Sequence, residues 1–329
     1  NSMADVAKVT DTLNNGTSVN IQTDNLTGPN DNSITITDAI RKTSGGDVAL
    51  RLKATGAINI NADITAETPA SAAMPTGKLS LEVTSDTNKT AGGSVSVASG
   101  TSIKTLGGSV KIGGGLVDNG VGFANSQSAG EAGITLNGVT IDTRVDPAGA
   151  PGTAGGSVEM AGSTTADAAG VLLAGSTIQT GTGKVTLIGK STGSNPAVAK
   201  GIKIDGGSSI TTRTVELRTD SIDLAGQITG DNDPAGYAKV WTLSDGRAIN
   251  FGTGTGGLDL AGNTFSGAGK ITNFYKNIVG DAGQKANITV GGVTSDSDLE
   301  LNTGAGTMAV SGTVDVASGH ALTLASKGQ

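Results

Sequence analysis

Cysteine is absent from this chain, histidine occurs once, and only seven aromatic residues are spread over 329 positions. Without cysteine there is no disulfide framework, and with His320 alone neither a zinc centre nor a Ser-His-Asp triad has its parts. No stretch approaches the roughly 18 consecutive apolar residues of a membrane span, so the chain is expected not to be membrane-inserted. Positive charge is scarce too. The 22 Lys and Arg are scattered against 29 acidic residues, a net charge of −7 with no basic stripe, which makes nucleic acid a poor partner.

The shortage of aromatics constrains the core. Each buried aromatic removes a large apolar area at one position, so a chain this poor in them builds its interior from many small aliphatic contributions. That favours a long thin core over a round one. A solenoid satisfies the demand at this length because each repeat packs only on its neighbours.

What the chain does have is repetition. Apolar residues recur at i and i+2 around one polar residue, as in Leu50 and Leu52, Ile58 and Ile60, Val110 and Ile112, Val158 and Met160, Ile202 and Ile204, and Leu299 and Leu301. Period two with one apolar face is a strand signal, and these triplets are shorter than sandwich strands. Gly, Asn, Asp and Ser lie between them, and all seven prolines fall outside them. The element Gly-Gly-Ser/Asp-Val starts at Gly45, Gly92, Gly107 and Gly155, at intervals of 47, 15 and 48. Two coils of roughly 20 to 25 residues fit one long interval, which predicts about 13 to 16 coils and a rod on the order of 60 to 80 Å. The fold class read from this pattern is all-β, a right-handed parallel β-helix. Val6, Val9 and Leu13, after Asp5 and before Asn14, Asn15 and Gly16, predict one short helix.

Residues 1–3 read as an appended scar, 4–230 as regular coils, 231–280 as aromatic-rich irregular coils or an element outside the helix, and 281–329 as further coils. Six of the seven aromatics lie in 237–275: Tyr237, Trp241, Phe251, Phe265, Phe274 and Tyr275. Larger side chains here fit a widened core or a side or capping element. The same stretch is also the best candidate ligand patch, made of Tyr237, Trp241 and Tyr275 with the acidic turn at Asp231 and Asp233. Other carboxylate groups are Asp142 and Asp146 around Arg144, and Asp296, Asp298 and Glu300, the last three at strand spacing on one face. Catalysis would need carboxylates from adjacent coils to converge on one bond, and a solvated face is the expected role instead. No catalytic, cofactor or metal residues are assigned.

Residues 12–19 with Ile21, then 33–40, 42–52 and 57–60, continued by 92–112 and 184–189, resemble the repetitive passenger of filamentous-haemagglutinin-type exoproteins of two-partner secretion systems. The resemblance covers about two thirds of the chain and implies a right-handed β-helix, export through an outer-membrane transporter, and a role in adhesion, aggregation, biofilm formation or virulence. The Asn-Pro-Asn signature of that family's secretion domain is absent, so the chain resembles a segment from within the rod. The expected function is thus a non-enzymatic adhesin segment, secreted to the bacterial cell surface outside the outer membrane. Its expected partner is a host or neighbouring-cell glycan, an exopolysaccharide or a surface protein. Two alternatives stand beside it: a polysaccharide-cleaving or -binding β-helix, and an inert stalk presenting a distal toxin or binding domain.

Overall fold

The computed structural model describes residues 5–23, 32–68, 76–89, 92–118, 120–149, 152–252, 256–267 and 269–326. The scar read at 1–3 lies outside them. Strands dominate, and nearly all pair in parallel with a strand one circuit of the chain away. No helix among the described residues is long and apolar enough to cross a membrane.

One circuit shows the plan. The strand Val48–Lys53 lies on a first face, Ile58–Ile60 on a second and Ile64–Ala66 on a third, and the chain then returns to the first face as Leu79–Ser85, paired in register with Val48–Lys53. Each face buries columns of aliphatic side chains, one residue per circuit. On the first face Val19, Leu50, Leu81, Val110, Val158, Val185 and Val215 stand in line. On the second face Ile34, Ile58, Val95, Ile134, Val171, Ile202 and Ile222 do the same. The third face carries an unbroken isoleucine ladder: Ile40, Ile64, Ile103, Ile141, Ile178, Ile210, Ile228 and Ile271. All eight are fully buried. Parallel sheets covered on their inner side want such β-branched residues, which fit the pleat with little loss of rotamer freedom.

Circuit length differs from the 20 to 25 residues expected. Along the first face circuits run from 22 residues, Asn277 to Leu299, to 48, Val110 to Val158, and most of those before Val215 take about 30. Val110 and Val158 are direct partners, so the second long Gly-Gly interval is a single circuit and not two. The first long interval, from Gly45 to Gly92, leads from the first face to the second. Eleven first-face strands from Val19–Gln22 to Leu322–Ala325 therefore stack over roughly 50 Å at about 4.8 Å per step, short of the 60 to 80 Å expected.

Two corner devices explain the motif residues. At two of the turns into the first face the second glycine of the pair touches the circuit below: a Cβ on Gly108 would lie 2.1 Å from the Leu79 carbonyl, and one on Gly156 2.1 Å from that of Gly108. No side chain fits there. On the inner side of the same corner sit the buried hydroxyls of Thr105, Thr143, Thr180 and Thr212. Thr105 and Thr180 donate to the carbonyls of Gly108 and Gly183, at 2.6 and 2.9 Å, and Thr143 donates to Gly156, so turn carbonyls facing the core are satisfied. Near the N-terminal end Lys42 does the same work. Its ammonium donates to the Ser44 and Gly45 carbonyls at 2.8 and 3.2 Å, and burial pushes its pKa below the ordinary lysine value although Asp47 pulls the other way.

The helix Val6–Asn14 forms as expected, with the Asp5 carboxylate accepting the Ala7 N–H at 3.0 Å. Val9 and Leu13 are buried in the core shared with the first circuit, and Asn14 Oδ1 accepts the N–H groups of Thr43 and Ser44. Two insertions lengthen their circuits without breaking the first-face or third-face ladders. An antiparallel hairpin, Leu116–Asp118 with Val121–Ser126, is inserted in the longest circuit. Further on, the strands Ile249–Phe251 and Leu258–Leu260 pair side by side before the chain reaches the next first-face strand, and Phe251, Phe265 and Phe274 are buried in the enlarged interior. The Phe251 and Phe265 ring centroids are 6.1 Å apart.

Candidate functional site

The expected patch is built on the first-face strand Tyr237–Trp241. Ala238 and Val240 point inward and are fully buried, which turns Tyr237, Lys239 and Trp241 outward at steps of about 6.7 Å. Each outward group has company. The Tyr237 hydroxyl donates to Glu216 Oε1 at 2.6 Å on the preceding circuit, while Lys184 holds the other oxygen at 2.9 Å. Burial, reinforced by that hydrogen bond and the Glu216 charge, pushes the Tyr237 phenol up to about 12. Lys239 Nζ lies 2.5 Å from Asp281 and 4.6 Å from the centre of the Trp241 ring. Burial alone would raise the Asp281 pKa, but the bonds from Lys239 and the Gly283 N–H, with the charges of Lys239 and Arg218, hold it below the usual carboxylate range.

Asp231 and Asp233 serve a corner. Arg213 binds both, at 3.0 and 3.1 Å, and each carboxylate accepts a backbone N–H two residues on, from Asp233 and Ala235. Tyr275 is 41 % exposed and directly precedes Lys276, the register partner of Tyr237. The structure thus sets Tyr237 and Trp241 on the outer surface, keeps Tyr275 exposed beside that strand pair, and ties the two aspartates into an arginine clasp.

Sequence reasoning missed two parts of this surface. Ala161, Ile188, Arg218 and Trp241 are register partners on four successive circuits, so they form one outward row across the first face. The inserted hairpin lies over the start of that row, where Phe123 packs with Ala161, Ile188 and Leu243 in a small apolar cluster separate from the main core. Asp118 of the hairpin is fixed by Lys190 at 2.5 Å. Asn119-Gly120, the strongest short hairpin signal, was present in the sequence. Nothing in the sequence singled out Arg218. Its side chain makes no ion pair or hydrogen bond among the described residues, and its Nε is buried without a partner.

Most of the remaining carboxylates hold protein partners. Arg144 grips Asp142 with Nε and Nη2 at 2.9 and 2.8 Å. The chain bends at Asp296 and Ser297, so Asp296 is not on the strand Asp298–Asn302 and the expected three-carboxylate face is reduced to Asp298 and Glu300. Those two are occupied, Asp298 by the Ala321 N–H and His320 and Glu300 by Lys276, and both lie below their ordinary pKa values, Asp298 mainly through the Ala321 N–H and Glu300 mainly through the Lys276 bond. Among the described residues no three His, Asp or Glu side chains gather where a metal ion could sit. The second face carries a groove of about 450 Å³ whose floor is the outward row Asn59, Ser96, Thr135, Leu172 and Lys203, with Glu131 and Asp167 on its wall. Asn59, Ser96 and Thr135 make no side-chain hydrogen bond among the described residues, and Asp167 is engaged by the Asn195 N–H.

No protein-family model, curated protein or solved structure matches this chain.

Proposed function

We propose that this chain is a segment of a secreted bacterial surface adhesin, a right-handed parallel β-helix that displays a ligand-contact surface on a rigid stack. The right hand follows the general rule for crossovers between parallel strands in one sheet. The observation that best supports the adhesive reading is the outward display of Tyr237, Lys239 and Trp241 on one strand. Aromatic groups in a chain this poor in them serve the core first, as Phe251, Phe265 and Phe274 do. Leaving the one tryptophan at the surface costs apolar burial, which contact with a partner would restore.

The ladder suits such a role. Departures from a regular repeat project from a stiff base, and many weak contacts add when copies crowd one cell. The partner in this reading is a cell-surface glycan, an exopolysaccharide or a surface protein, and export uses an outer-membrane transporter, as the repeat style implies. The second-face groove supports a second reading, polysaccharide binding along the stack, because its floor holds uncommitted amide and hydroxyl groups on successive circuits. A glycan array probed with the intact chain, together with a bacterial aggregation assay, separates these readings from an inert stalk. Binding to defined glycans with aggregation supports the adhesin, and neither signal would leave only the stalk.

A further inference from the structure

We propose that Arg218 and Trp241 together form a subsite for a carboxylate-bearing saccharide. The inference rests on the adhesive reading above and names the class of ligand for that surface. The two residues are direct register partners on adjacent circuits of the first face, both turned outward. Strand spacing puts their backbones about 4.8 Å apart, so one sugar ring reaches both.

Charge accounting points to an anion. On this part of the face Lys184 is matched by Glu216, Lys239 by Asp281 and Lys276 by Glu300. Asp220, just beyond Arg218, is taken by the Leu243 and Ser244 N–H groups. Arg218 alone among these cations forms no ion pair among the described residues, with Asp281, already bound by Lys239, as the carboxylate that feels its charge, and its Nε is buried without an acceptor. The two Nη groups, which make no hydrogen bond among the described residues, are the ones a ligand can reach, and they gain most from a planar, bidentate acceptor. Carboxylate is that acceptor, and the planar guanidinium fork fits it where an ammonium would not.

The indole supplies the other half. Trp241 is partly exposed, and the flanking circuit continues from Val279, the partner of Val240, into Gly280 and Asp281, whose carboxylate holds Lys239 over the ring. Lys239, tethered by Asp281, fixes the ring from its own strand. A pyranose can lay its C–H face on the rest of the indole while its carboxylate meets Arg218. Ile188 and the hairpin cluster under Phe123 wall the opposite end of the row and dry the approach to the guanidinium.

Trp241 is the only tryptophan in the chain, so indole fluorescence, excited at the red edge where tyrosine does not absorb, reports this subsite alone. The intact chain is titrated with a galacturonic acid oligomer and, in parallel, with a neutral maltooligosaccharide. A saturable change with the uronate and none with the neutral sugar is expected. R218Q should weaken the response at least about tenfold, the size of loss for removing one charge-assisted partner. R218K, which keeps the charge and the packed stem but loses the fork, should lose most of it too, and it serves if R218Q melts early. A silent titration, an equal response to both sugars, or unchanged affinity in R218K with an intact melting curve overturns the subsite. Cell aggregation by the same wild-type protein keeps the two ideas apart: aggregation with silent fluorescence sinks the subsite alone, and uronate binding without aggregation supports the subsite while counting against the adhesin.

Discussion

Replacing Ile178 with Ala tests the ladder where it is most regular. Ile178 is fully buried, with Ile141 and Ile210 stacked directly on either side. Truncation removes about three methylene equivalents, worth roughly 2.4 kcal/mol by transfer alone. The neighbours are held by parallel ladders on both sides and cannot collapse into the gap, so a cavity term adds to this and the total should reach about 3 to 4 kcal/mol. The control is the adjacent residue. Thr177→Ala alters an outward, half-exposed side chain of the same strand and should stay within about 0.5 kcal/mol. Denaturant unfolding gives the magnitudes, and hydrogen exchange gives their location: protection should fall first at Ile141 and Ile210 and remain at Leu50, because each circuit depends on its nearest neighbours. Equal losses for the two variants, or a uniform fall in protection along the chain, would refute the inside-outside assignment.

Other expectations follow from the same geometry. Thr143→Val removes the hydroxyl that serves the Gly156 carbonyl and should cost about 1 to 3 kcal/mol in thermal or denaturant unfolding; a neutral outcome would mean that the corner threonines are only filling space. Lys111→Glu would place three acidic residues in line, with Glu82 and Glu159 on either side, and should destabilise by up to about 1 kcal/mol, more at low salt, whereas Lys111→Ala should be nearly silent because the pair it breaks is exposed. The Tyr237 phenol, raised from 10 to about 12, contributes stability that is complete below pH 10 and is lost as pH rises from 10 towards 12; Tyr237→Phe should flatten that part of the stability-pH curve and remove the highest step from an ultraviolet phenol titration.

The first two faces were legible in the sequence because most of their strands bury two residues around one outward residue, as Leu50 and Leu52 do around Arg51. The third face was not. Most of its strands bury one isoleucine, and a single apolar residue carries no period, so Ile64, Ile103 and Ile141 fall in no triplet and the circuit came out too short. The Gly-Gly-x-Val element misled for a related reason. Close backbone approach is needed at corners into both the first face and the second, so one motif marks two places in the circuit. At the surface, alternation put Tyr237 and Trp241 on one strand, and its parity turned them outward. Arg218 and the Phe123 hairpin belong to that surface only through pairing across circuits, which sequence separation conceals.

The adhesive role is decided by what happens at Trp241 when the chain meets a cell. Beads coated with the intact chain, and with a Tyr237→Ala, Trp241→Ala variant whose melting curve and far-ultraviolet spectrum match it, are scored for attachment to bacterial cells and to their extracted exopolysaccharide. The expected result is firm attachment by the unaltered chain and loss of most of it in the variant, since both substitutions leave the inward columns at Ala238 and Val240 untouched. Equal attachment by the two proteins would contradict the account and make the outward aromatic strand packing on an otherwise passive spacer.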